Sequence, residues 1–194
     1  MSVDHVAVYR SEAAAEMAAP TPTVTGTTKV GSTLTAQPGT WQPAPVALSY
    51  QWSADGVDLV GATSPTLVLG AATAGKQITV EVTGTKTGYT TTSRTSLPTA
   101  AVGTGTLTAA TPTISGSARI GSTLTAKPGT WGPSPVTLKY QWRANGVAIS
   151  GATAATYKPS SLLVGLKITV SVTGSKTGYA SVTRTSTATA AVVR

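Results

Sequence analysis

The chain has no cysteine, no phenylalanine, a single histidine and only six acidic residues in 194. Without cysteine it can form no disulfide, no thiolate metal site and no cysteine nucleophile, so its core must hold by packing alone. A Ser-His-Asp relay would have to recruit His5 from the extreme N-terminus, and no phosphate-cradling glycine loop or zinc-ligand spacing occurs. A non-enzymatic chain with no cofactor and no metal is expected. No apolar run is long enough to span a membrane as a helix. Met1 to Ala19 carries Asp4, His5, Arg10, Glu12 and Glu16 where a secretory signal would need an apolar stretch, so no export signal is expected.

Threonine, valine, alanine, glycine and proline are plentiful instead, in short alternating runs broken by Gly and Pro, and this predicts an all-β protein. The chain also repeats itself. Tyr50-Gln51-Trp52 returns as Tyr140-Gln141-Trp142, and the stretch from Thr21 to Val102 matches that from Thr111 to Val192 without a gap. Leu48, Tyr50 and Trp52 share one parity, which predicts a central strand with one buried face in each repeat. The matched residues include Gly31/Gly121, Pro38-Gly39/Pro128-Gly129, Trp41/Trp131, Gly75/Gly165, Gly84/Gly174 and Gly88-Tyr89/Gly178-Tyr179. Turn glycines and core aromatics are therefore what the two copies share. Trp41 and Trp131 could stack on sugars, but a Trp after Pro-Gly-Thr in both copies fits a core plug better. Asp55 and Asp58 have the look of a Ca²⁺ pair, yet the copy reads Asn145 and Ala148, and a hairpin turn explains both versions.

Three segments are expected: residues 1–19 as an N-terminal anchor, 20–103 as the first domain and 104–194 as the second, with Gly103 to Thr106 as the linker. Val6 and Val8 suit a short strand, and Ser11 to Ala19 has helix propensity with a Ser N-cap, ended by Pro20 and Pro22. The charge is uneven. Residues 1–19 have one base and three acids, 20–109 four bases and three acids, and 110–194 nine bases and no acid, giving −2, +1 and +9. A field of the last sign favours anionic polymers. Nucleic acid is not expected as partner, because the basic residues are not interleaved with aromatics.

The series Val-Gly-Ser-Thr-Leu-Thr-Ala, Pro-Gly-Thr-Trp, Tyr-Gln-Trp, Gly-Ala-Thr, Ile-Thr-Val and Thr-Gly-Tyr resembles the bacterial immunoglobulin-like (Ig-like) repeats of actinobacterial surface proteins and of the phages of those hosts. The resemblance covers about 170 of the 194 residues. It implies two tandem Ig-like β-sandwich domains, without the cysteine pair or tyrosine corner of antibody domains, and a role in display, spacing or adhesion. With no export signal, it implies a phage virion structural protein, foremost a capsid decoration protein on the virion surface. Val3, Val6, Val8, Tyr9 and Met17 would then contact the major capsid protein or another shell protein. Lys127, Lys139 and Arg143 would face host-envelope polyanions or glycans. The rival readings are a bacterial cell-surface adhesin fragment and a phage tail or neck component.

Overall fold

A computed structural model describes residues 14–194, so Val3, His5, Val6, Val8 and Tyr9 lie outside the described residues. The chain divides into two compact units, Met1–Gly103 and Thr104–Arg194. It is all-β, with two single-turn 3₁₀ segments, Ala71–Thr73 and Ser161–Leu163, as the helical elements among the described residues.

In the first unit the strands are β1 (Thr23–Gly26), β2 (Thr33–Gln37), β3 (Ala47–Ala54), β4 (Val57–Asp58), β5 (Thr66–Val68), β6 (Ile78–Thr85) and β7 (Thr92–Thr95). They form two sheets, ordered β1-β2-β5 and β4-β3-β6-β7. That partition of seven consecutive strands is the Ig-like sandwich arrangement. Strand alternation sorts the side chains: Leu34 and Ala36 from one sheet and Trp52, Ala54, Ile78, Val80 and Val82 from the other are buried. The Asp55-Gly56 turn between β3 and β4 has φ of 49° and 77°, as a two-residue hairpin of this twist needs.

The second unit contains β8 (Gly105–Thr106), β9 (Thr108–Ala109), β10 (Thr113–Ser115), β11 (Leu124–Lys127), β12 (Trp131–Gly132), β13 (Thr137–Ala144), β14 (Val147–Ala148), β15 (Thr156–Tyr157), β16 (Ile168–Ser175), β17 (Tyr179–Ala180) and β18 (Val182–Thr185). Its main sheets, β10-β11-β15 and β14-β13-β16-β18, repeat the first unit's order. Leu124, Ala126, Trp142, Ala144, Ile168, Val170 and Val172 fill its core.

Residues 14–19 depart from the helix expected of them. Ala15 pairs with Tyr89 in parallel and Ala18 with Gln42 antiparallel. The second unit makes the same pairs 90 residues on, Gly105 with Tyr179 and Thr108 with Gly132. Met17 and its counterpart Leu107 are each 6% exposed, and Ala19 and Ala109 accept bonds from Arg94 Nε and Arg184 Nε at 3.2 and 3.4 Å. A helix this short is marginal in water. Extended pairing plus burial of one apolar side chain outweighs its propensity. Residues 14–19 and 104–109 are thus the same structural element with little shared sequence, and Gly103 to Thr106 is not a free linker. Gly103 already pairs with Lys29 in the first unit, and Gly105 opens β8 in the second.

The closing strand β7 ends at Thr95. Beyond Thr95, backbone and side chain share the ladder: the Ser96 and Thr99 N–H groups donate to Val80 O and Ile78 O, while Ser96 Oγ accepts the Val80 N–H at 3.1 Å and Thr99 Oγ1 the Ile78 N–H at 3.0 Å. Ser186 and Thr189 do the same in the second unit.

Candidate functional site

The Gln and Trp of the Tyr-Gln-Trp signature work for the fold, and Tyr140 packs against the second unit's core. Trp52 and Trp142 are fully buried, and their indole N–H groups donate to Ser64 O and Ala154 O at 2.9 and 2.8 Å. Gln51 Nε2 donates to the carbonyls of Trp52 and Leu59, and Gln141 Nε2 to those of Trp142 and Ile149. Trp41 and Trp131 are plugs as well. Their N–H groups bond Pro38 O and Pro128 O, and their rings lie where a Cβ on Gly84 or Gly174 would collide. Trp41 is buried, and Trp131 is half-buried with its ring packed against the second unit's core. Asp55 Oδ1 accepts the Gln77 N–H and Asp58 Oδ1 the Ser53 hydroxyl, at 2.8 and 2.7 Å, so the two carboxylates serve different partners.

Met17, expected among the anchor contacts, is buried within the first unit. The three basic residues expected to act together are separated as well. Lys127 lies on β11, whose Leu124 and Ala126 point inward, so Lys127 faces out from the three-stranded sheet. Lys139 and Arg143 lie on β13 and face out from the four-stranded sheet, on the other side of the sandwich. Lys139 is exposed. Arg143 is half-buried, its Nε bonding Ser171 Oγ at 3.1 Å and one terminal nitrogen bonding Gly146 O at 3.1 Å.

The outer faces of the two four-stranded sheets are where the repeats diverge chemically. In the first unit the register places Ser49, Gln51 and Ser53 on β3 beside Thr83, Glu81 and Thr79 on β6, with Asp58 on β4 opposite Ser53. This face holds two carboxylates and no cation. In the second unit the same positions hold Lys139, Gln141, Arg143, Thr173, Ser171, Thr169 and Ala148. That face holds two cations and no acid. Hydroxyl pairs run across both, Thr83 with Ser93 at 2.7 Å and Thr173 with Thr183 at 2.8 Å. The side-chain parity and the hairpin that pairs β3 with β4 were legible in the sequence, but the pairing of β3 with β6 was not.

Surface grooves of about 610, 530 and 280 Å³ contain, as charged groups, only Arg119 and Lys86. They bring no acid and base together. No group of three or more His, Asp or Glu side chains converges among the described residues.

Comparison with protein-family models gives no match, and neither does comparison with curated proteins. Among solved structures, the tandem Ig repeats of Dlar align over 92% of this chain and 98% of theirs, at 15% identity and a TM-score of 0.27. Murine CEACAM1b aligns over 92% of this chain and 100% of its own, at 11% identity and a TM-score of 0.33. The Ig-like assignment rests on the strand order within each unit, independently of these two alignments.

Proposed function

We propose that the protein is a non-enzymatic display or adhesion protein of a phage virion, most specifically a capsid decoration protein, in which residues 1–13 attach to a shell protein and the two Ig-like units are carried on the surface. The observation that carries this reading is the division of labour between the copies. The glycines and tryptophans they share serve folding, and the charge differences on their four-stranded sheets face outward. A scaffold kept and a surface varied is what a display module needs. In this reading Val3, Val6, Val8 and Tyr9 are the apolar contacts of that segment, and the buried Met17 supports grouping residues 14–19 with the first unit.

Deleting residues 1–13 should abolish incorporation into particles while both units melt as before. Particles that still carry the shortened chain at full occupancy would remove the attachment role. Copy number in purified particles separates the locations: hundreds per particle support the capsid, a few support tail or neck, and none supports the bacterial surface reading.

A further inference from the structure

The two four-stranded faces carry opposite charge on homologous frames. Asp58 and Glu81 supply the acidic pair in the first unit. Both are exposed, and neither makes an ion pair among the described residues; Asp58 bonds only the Ser53 hydroxyl. Lys139 and Arg143 supply the basic pair in the second, where there is no carboxylate side chain anywhere from Thr104 to Arg194 to neutralise them.

The spacings also agree. Asp58 and Glu81 are two strands apart and two residues apart along the sheet, which at ordinary strand spacing is about 12 Å between backbones. Lys139 and Arg143 are four residues apart on one strand, about 13 Å. Beside each pair the register places hydroxyl and amide side chains, Ser49, Gln51 and Thr83 in the first unit and Gln141, Ser171 and Thr173 in the second.

We propose that these faces are the two halves of a self-association contact: the Asp58/Glu81 face of the first unit receives the Lys139/Arg143 face of the second unit of another copy. Such a contact is heterologous, joining two different patches, so it propagates head to tail unless it closes. The weight falls on the exposed Asp58, Glu81 and Lys139 together with the half-buried Arg143, so association is modest and strongly screened by salt.

Sedimentation of the full chain over a concentration series tests this. Association is expected at low salt and should weaken about tenfold or more between roughly 20 and 500 mM salt. The variants Asp58→Lys/Glu81→Lys and Lys139→Glu/Arg143→Glu should each be monomeric alone, with circular dichroism unchanged. Mixing them should restore association, because the first then bears two basic faces and the second two acidic ones. Lys127→Glu, on the opposite sheet, should leave association intact. A wild-type chain that stays monomeric at low salt would overturn the proposal, as would failure of the mixture to associate or an equal loss from Lys127→Glu. If Lys139→Glu/Arg143→Glu instead abolishes binding to polyphosphate while wild-type self-association is absent, the basic face serves a polyanion and not a second copy.

Discussion

Tyr157 sets the second unit's core apart from the first. Its ring stacks on Trp142 with centroids 5.7 Å apart, where the first unit has Leu67 facing the same way from β5. Burial pushes the Tyr157 phenol above its ordinary value, because the phenolate would lose water there. A group whose folded value is raised contributes stability that is complete below the unfolded value, near 10, and is lost as pH climbs through the folded value. The stability difference between wild type and Tyr157→Phe should therefore be flat from pH 7 to 9 and turn against the wild type above about pH 10. Calorimetry of both chains across that range checks the sign; a difference that stays constant to pH 11 would show that the phenol is not desolvated. The stack was only half legible beforehand. Trp142 announced itself by repetition, while Tyr157 is a place where the copies differ and so carried no such signal.

At the scale of elements, the segment from Ala14 to Ala19 decides where the first fold begins. Its two pairings and the buried Met17 match β8 and β9 with Leu107, although only Ala19 and Ala109 are identical among the six positions. Met17→Ala and Leu107→Ala should each lower the stability of their own unit by about 2–5 kcal/mol, the usual range for removing a buried Met or Leu side chain. Removing residues 1–13 should leave the first unit's melting in place, whereas removing residues 1–19 should lower it markedly. Equal melting of the two truncations would return residues 14–19 to the attachment segment. The sequence revealed strands whose faces alternate, such as the one holding Leu48, Tyr50 and Trp52, and turns punctuated by glycine. It misplaced this segment because alanine-rich stretches with early acids favour a helix locally, and pairing with Tyr89 and Gln42 is a non-local gain that no local pattern encodes. The opposed charged faces were hidden for the same reason. Glu81 and Asp58 are 23 positions apart in the chain and meet only through β3.

Over the whole molecule, charge is divided more sharply than folding required. Residues 1–103 hold five bases and six acids, and residues 104–194 hold nine bases and no acid. The second unit's like charges repel one another with no acidic side chain to offset them, and salt screens that repulsion. Thermal scans of the full chain at low and at high salt should show the second unit's transition rising with salt more than the first's, with Tyr157→Phe at high pH identifying which is which. Transitions that move together would show that the units do not unfold independently.

Between Gly103, paired to Lys29, and Gly105, paired to Tyr179, only Thr104 is outside both ladders. A protease needs a stretch of unpaired chain to thread through its cleft, and a single residue between two pairings does not provide one. The point where one fold ends is thus also where the next is already held shut, so the halves resist being cut apart for as long as both stay folded.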